Sequence, residues 1–183
     1  MKVIAIVGMA GAGKSEVARL FEASGFVRIR FGDITDEEVK KRGLELNEEN
    51  ERRVRELLRK DYGMAAYAML NLSRIDLALK NSAVVIDGLY SWEEYTLLRS
   101  YYGQNLRIVA VWASPGTRYA RLAARAERPL IAEEAASRDK AEIEKINKGG
   151  PIAIADYTIL NESSMKNMER EAKRTIAALR RRD

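Results

Sequence analysis

The stretch "VIAIVGMAGAGKSEVARL" near the start constrains the chain more than any other. Five apolar residues, Val3–Val7, run straight into a glycine loop, and a helical pattern follows Lys14 and Ser15. A short, β-branched apolar run is the signature of a strand buried on both faces of a parallel sheet. "GMAGAGKS" fits G-x-x-x-x-G-K-S, with Gly8, Gly13, Lys14 and Ser15 at the defining places. A loop that wraps a polyphosphate must aim successive backbone N–H groups inward, at angles that glycine adopts with least strain. Gly8, Ala10, Gly11, Ala12, Gly13 and Glu16 are therefore candidate contacts to the phosphates of ATP, and the helix N-terminus adds the positive end of its dipole. Lys14 supplies a mobile cation for the β- and γ-phosphates, and the Ser15 hydroxyl suits magnesium.

Downstream, strands alternate with helices. "FVRIRFGD" (26–33) reads as a second strand, "AVVIDG" (83–88) as a third, "LRIVAVWAS" (106–114) as a fourth and "DYTILNES" as a fifth. Between the second and third lie a short helix, "ITDEEVKKRG", with Thr35 a possible cap and Gly43 a stop, then helices at "NEENERRVRELLRKDYG", capped by Asn47, and "MAAYAMLNLSRIDLALK". Ser91 caps a helix after strand three, and Pro115 suits the first turn of a helix that runs to a break at Pro129. "IAEEAASRDKAEIEKINK" is helical until Gly149-Gly150-Pro151, and 164–182 closes the chain as a helix. Alternation of this kind implies an α/β fold with right-handed crossovers and a parallel sheet covered on both faces. No internal repeat or linker interrupts it, so a single domain over 1–183 is expected. The insertions at about 33–80 and about 126–150 are expected to carry mobile parts that close over a substrate.

Composition narrows the chemistry. The chain has no cysteine and no histidine, which removes disulfides, thiolates, serine–histidine triads and imidazole metal sites. A general base must then be a carboxylate, lysine or tyrosine. There is no apolar run long enough for a membrane span, and the N-terminal run is unlike a secretory signal, so a cytoplasmic location is expected. The net charge of +5 is spread among mixed charges, as in "NEENERRVRELLRKD", so a nucleic-acid partner is not expected. A monomer or a homodimer is expected.

Two carboxylates end strands at the edge where open α/β sheets bind ligands. Asp87 ends "AVVID"; it either supports magnesium through water or caps the next turn. Asp33 ends the second strand; it either orients an acceptor hydroxyl, acts as base, or is a carboxylate at a helix N-terminus. "TRYARLAARAERP" sets Arg118, Arg121, Arg125 and Arg128 at spacings that share one helix face, and Arg138 follows. Such a face either is solvated or gathers an anion; after strand four of a nucleotide-binding sheet, cations closing over a migrating phosphoryl group are the sharper reading.

Together "GMAGAGKS", the "GD" after strand two, "RGLELNEEN", "VIDG", "ASPGTRYARL" and "IAIADYTILNES" resemble the adenylate-kinase-related, dephospho-CoA-kinase-like P-loop family over nearly the whole chain. The resemblance implies the nucleoside monophosphate kinase fold, with a five-stranded parallel sheet in the order 2-3-1-4-5, a substrate-binding helical insert and an arginine-bearing lid. It implies Arg121 and Arg125 as lid arginines toward ATP and places the Asn161–Ser163 loop near the adenine. Two departures stand out. Thr35 and Asp36, and then Tyr90, occupy places where adenylate kinases carry arginines that clamp the acceptor's phosphate. Each missing partner removes about 2–5 kcal/mol of charge-assisted contact. Lys40, Lys41 and Arg42 are the nearest cations that could substitute. Trp92 either packs or stacks on a base.

These features point to a magnesium- and ATP-dependent phosphotransferase acting on a small nucleotide or nucleotide-like acceptor. Three rivals stay open: a dephospho-CoA kinase, whose acceptor is a ribose hydroxyl; a nucleotide-dependent regulatory ATPase acting on a protein or RNA; and a sensor that binds nucleotide without turnover. The "NKxD" guanine signature is absent, which leans toward adenine.

Overall fold

The first strand, β1 (Val3–Val7), sends Val3, Ala5 and Val7 to one face and Ile4 and Ile6 to the other, and all five are buried. A strand covered on both faces requires helices on both. The computed structural model describes residues 1–126 and 129–181 and shows that arrangement. β2 (Val27–Arg30), β3 (Val84–Asp87), β4 (Leu106–Trp112) and β5 (Tyr157–Leu160) join β1 in one parallel sheet, ordered β2-β3-β1-β4-β5. The order expected from the family resemblance is the one observed.

One face is covered by α1 (Lys14–Ala23) and α9 (Met165–Arg180), whose Val17, Ala18, Phe21, Met168, Ala172, Ile176 and Leu179 pack on Ile4, Ile6, Val85 and Val109. The other face carries α2 (Asp33–Lys41), α3 (Glu48–Tyr62), α4 (Ala66–Leu79) and α5 (Trp92–Tyr102). Their Val39, Val54, Leu58, Tyr67, Ile75 and Leu98 pack on Ala5, Ile86, Ile108 and Ala110. A third, smaller cluster joins Ala10 of the glycine loop to Leu122 of α6 (Pro115–Ala123) and Ala135 of α7 (Ala132–Glu144). α8 (Gly149–Ala153) links α7 to β5. Among the described residues no helix is long and apolar enough to cross a membrane.

Local chemistry sets the helix starts. Asn47, Ser91 and Ser114 each accept a hydrogen bond from a backbone N–H three residues on, and Pro115 follows Ser114 at the first helical position. Several expectations need correction. β2 stops at Arg30, and Asp33 opens α2 instead of ending the strand. Thr35 is not a cap; it is buried and its hydroxyl lies 2.6 Å from the Tyr67 hydroxyl. α6 stops at Ala123, well short of Pro129, because the Leu130 N–H returns to the Leu122 carbonyl at 3.2 Å and closes the turn. Arg125 therefore sits past the helix end, and Arg128 lies outside the described residues. Gly149-Gly150-Pro151 does not end a helix but starts α8, where proline in the first turn loses no helical bond.

Candidate functional site

The glycine loop leaves β1 at Gly8 and enters α1 at Gly13. Gly8 has φ +148°, and a Cβ there would lie 2.4 Å from the Val111 carbonyl oxygen; Gly13 has φ +97°, and a Cβ there would lie 2.4 Å from Asn161 Nδ2. Gly8 thus demands glycine for close packing against backbone as well as for its backbone angle, and Gly13 for its backbone angle. No side chain caps the N-terminus of α1, so its first N–H groups stay available to an anion.

Three of the loop's carbonyls, those of Met9, Ala10 and Ala12, are turned to the protein. The Met9 carbonyl accepts from the Lys14 ammonium at 2.9 Å and from the Ala12 N–H at 3.2 Å. The Ala10 carbonyl accepts from Arg118 at 3.1 Å, and the Ala12 carbonyl from Asn161 Nδ2 at 2.9 Å. Burial pulls the Lys14 amine down to about 7, and the charge of Lys148 adds to that effect. A bound polyphosphate would reverse it, because an adjacent anion favours the charged amine. Glu16 faces its own helix neighbour Arg19 as an exposed ion pair.

Ser15 and Asp87 meet as expected from sequence: the hydroxyl is 3.4 Å from Asp87 Oδ1. β1 and β3 are adjacent, which brings the end of β3 under the start of α1. Sequence reasoning missed Arg28. Its guanidinium grips Asp87 Oδ2, with Nη2 at 2.5 Å and Nε at 3.1 Å, and the Asp87 side chain is only 5% exposed. An arginine at an inward position of a strand was the available signal. The serine hydroxyl and the free carboxylate oxygen form a hard-oxygen pair that suits magnesium held partly by substrate phosphates. No cluster of three acidic, histidine or cysteine ligands exists among the described residues, so a cage made of protein alone is not what this site offers.

The arginines divide into two kinds. Arg118 is buried and donates to Asp139 through both Nη atoms (2.8 and 2.5 Å) and to the Ala113 carbonyl at 3.1 Å. It ties α6, α7 and the glycine loop together, so the reading of Arg118 as a phosphate-facing cation is withdrawn. Arg121 reaches Asn161 Oδ1 at 3.4 Å, and its Nη1 is buried without a hydrogen-bond partner among the described residues. Arg121 and Asn161 thus come together at the loop, and a buried guanidinium nitrogen awaits an acceptor there. Arg125 is held below its ordinary range by burial and by Arg138. Arg138 is half exposed and donates to Glu142 at 3.3 Å. In the β5–α9 loop, Glu162 accepts from Thr117 at 2.6 Å and so fixes that loop against the start of α6.

Across from the loop, α2–α5 build a second wall. Asp33 is 42% exposed and pairs with Arg30 at 3.1 Å. Tyr90 lies against Gly32 and Gly88: a Cβ on Gly88 would sit 2.7 Å from its hydroxyl. Tyr67 packs edge-on to Tyr90 with ring centroids 5.7 Å apart, and Arg59 lies over the Tyr67 ring at 5.5 Å. Glu94 is fully buried; Oε2 accepts from the Tyr90 N–H at 2.7 Å, while Oε1 makes no hydrogen bond among the described residues, and burial pushes the carboxyl up to about 8. Lys40 is exposed, and Lys41 and Arg42 face Glu38 on their own helix. Trp92 is half exposed and stacks with Tyr95 at 5.1 Å, flanking an open hollow with Ile143 and Asn147.

The fold and the sequence both have relatives. Residues 4–146 match the family described as AAA domain. The chain is similar to the UPF0200 proteins of Thermococcus kodakarensis (39% identical, covering 95% of this chain and 96% of that protein) and Thermococcus onnurineus (38%, 95% and 96%). Among solved structures it resembles a gluconokinase from Sinorhizobium meliloti (TM-score 0.60, 18% identity, 97% of this chain and 93% of that one). It also resembles a shikimate kinase from Bacteroides thetaiotaomicron (TM-score 0.61, 13%, 98% and 98%) and a dephospho-CoA kinase from Campylobacter jejuni (TM-score 0.58, 14%, 97% and 97%). These structures share the P-loop kinase fold with this chain. By identity across nearly its whole length and by the match over residues 4–146, the chain belongs to the UPF0200 family and to the AAA domain family.

Proposed function

We propose that the protein is a magnesium- and ATP-dependent phosphotransferase that moves the γ-phosphate of ATP to a small nucleotide or nucleotide-like acceptor. The observation that carries this reading is the Ser15–Asp87 pair beside Lys14, with Tyr90 of the α2–α5 side packed on Gly88 next to Asp87. A phosphate site opposite a distinct acceptor wall is the geometry that transfer needs, since positioning and charge neutralisation do nearly all the work. The names of the three structural neighbours given above, a gluconokinase, a shikimate kinase and a dephospho-CoA kinase, support it.

Ser15 and Asp87 would hold magnesium, which supplies charge neutralisation on the phosphates. Lys14 leaves the Met9 carbonyl for the β- and γ-phosphates. Arg121, with its unpartnered Nη1, and Arg138 face the developing charge, Arg125 lies at the same edge, and Asn161 steadies the base side. Asp33, once released from Arg30, orients the acceptor.

A second reading of the acceptor, a hydroxyl as in dephospho-CoA kinases, is favoured by one observation. Tyr90, and not an arginine, fills the space between Gly32 and Gly88. A phenol there orients an alcohol but leaves a phosphate dianion unneutralised.

The test is ADP release from Mg-ATP with AMP, CMP, UMP, their deoxy counterparts, dephospho-CoA and no acceptor, with Lys14→Ala as blank. One acceptor raising turnover well above the basal rate supports the kinase reading and names the substrate. A uniform slow rate would favour a regulatory ATPase that answers to a protein or RNA.

A further inference from the structure

α7 closes with a left-handed residue: Asn147 has φ +51°, and the Lys148 N–H returns to the Glu142 carbonyl at 3.1 Å. That six-residue closure fixes Lys148 just before α8. The Lys148 side chain is 3% exposed, an unusual burial for a lysine. Its ammonium lies 2.8 Å from Glu142 Oε2 and 5.5 Å from the centroid of the Tyr90 ring. Tyr90 in turn packs on Gly88, next to Asp87, which reaches Ser15. Ile152 of α8 lines one small hollow with Met9 and Ala12 of the glycine loop. Lys148 is therefore built into the boundary between the phosphate site and the acceptor wall.

The charges around it are unbalanced in an informative way. Glu142 gathers both Lys148 and Arg138, and Lys14 feels all three. Burial would push the Glu142 carboxyl up, but Lys148 above all, then Lys14 and Arg138, hold it below its ordinary range. Two cations, Lys148 and Arg138, thus pair with one largely buried carboxylate beside a loop shaped for phosphate.

We infer that Lys148 is a second phosphate-facing cation of the transfer site, with Glu142 as the counter-ion that a γ-phosphate replaces. The inference rests on the phosphotransferase reading, in which the γ-phosphate arrives between the glycine loop and the acceptor wall. It would make Lys148 a catalytic residue contributed from the segment after α7, where neither spacing nor motif marks it.

The experiment compares binding of Mg-ADP and of a non-hydrolysable Mg-ATP analogue by calorimetry, in the full chain and in Lys148→Met, Lys148→Arg and Glu142→Gln. Loss of one charge-assisted contact to the γ-phosphate should weaken the ATP analogue about 10- to 100-fold in Lys148→Met while leaving Mg-ADP nearly unchanged. Lys148→Arg should recover part of that loss, and Glu142→Gln should tighten the ATP analogue selectively. Should Lys148→Met fail to fold, the double variant Lys148→Met with Glu142→Leu removes both charges and should show the same selective loss. Equal weakening of ADP and ATP analogue, or no weakening in a folded variant, would overturn the inference and make Lys148 a structural partner of Glu142. If the wild-type chain binds neither nucleotide, the phosphotransferase reading itself falls, and this with it.

Discussion

The two walls of the site are finished to different degrees. On the P-loop side every carbonyl of the loop from Met9 to Ala12 that faces the protein has a named donor: Lys14, Arg118 and Asn161. The buried Arg118–Asp139 pair and the Leu122–Ala135 cluster lock that loop to α6 and α7. On the helical side, Glu94 Oε1 and Arg59 Nε are buried without hydrogen-bond partners among the described residues, and Asp33 and Arg30 stand half exposed. A loop whose carbonyls are held by side chains of the same chain is preorganised for a ligand common to a fold, and the group left open beside it, Arg121 Nη1, is a cation that suits a phosphate. A wall with unsatisfied buried groups awaits a particular ligand to complete it, because such groups destabilise when left alone. On the proposed reading, the difference teaches that nucleotide handling would be built into the frame, whereas acceptor choice would lie in side chains from α2–α5.

The largest expected effect tests whether the frame is as rigid as its contacts imply. Arg118→Ala strands Asp139 as a buried, unpaired carboxylate and should cost about 3–5 kcal/mol in denaturant unfolding. Replacing both partners by apolar residues, Arg118→Met with Asp139→Leu, should recover most of it. A loss under 1 kcal/mol in the single variant would show that the P-loop side is not braced this way.

Next in size, Lys14→Ala should lower the transfer rate roughly 10²- to 10³-fold, as for removal of one donor to a transition-state oxyanion. The same change should not destabilise the fold, since burial already disfavours the charged amine. Unfolding curves and turnover measured on one preparation separate the two effects.

The pH dependence of stability sharpens the contrast, because the two walls have opposite signs. Glu94 keeps its proton in the folded protein up to about 8, against 4.5 unfolded. Its contribution is fully present below pH 4.5 and declines as pH rises toward 8. Lys14 behaves in reverse: the folded protein gives up the proton near 7 while the unfolded chain keeps it to 10.5, so its penalty is full below 7 and is relieved between 7 and 10.5. Each slope is at most about 1.4 kcal/mol per pH unit. Glu94→Gln should flatten the first limb only, and Lys14→Met the second only. A single variant that abolished both limbs would show that the walls do not titrate independently.

The smallest expected effect is at Tyr90. Tyr90→Phe removes one hydroxyl at the acceptor wall and should raise the acceptor KM about 3- to 10-fold with the KM for ATP unchanged. An equal rise in both would place Tyr90 on the wrong side of the comparison.

How much of this was legible in sequence follows the same division. The glycine loop, Ser15, the ends of β1 and β3 and the parallel sheet were readable because each depends on short, local patterns. Asp87 was readable because it ends an apolar run; its partner Arg28 was signalled only by an arginine at an inward strand position, and pairing across strands leaves no spacing that names the partner. Arg118 looked like one of a row of four phosphate-facing arginines; its partner Asp139 lies 21 positions on, and only folding brings them together. The row itself ends at Ala123, where a returning backbone N–H takes the carbonyl that would have carried the helix on. Thr35 illustrates the reverse error: a residue with cap chemistry is placed instead against the Tyr67 hydroxyl, because tertiary packing outweighs a local preference. Lys148 follows a helix-stop residue that need not be glycine, and nothing in its neighbours marks it as buried.

The most direct test of the central claim is the fate of the γ-phosphate, followed by phosphorus NMR in a mixture of Mg-ATP, protein and the acceptor that raises ADP release. The expected result is a new phosphorus signal on the acceptor that grows in step with ADP and is absent with Lys14→Ala. Growth of inorganic phosphate alone, in step with ADP and indifferent to the acceptor, would contradict it: the two walls would then enclose water and not a second substrate.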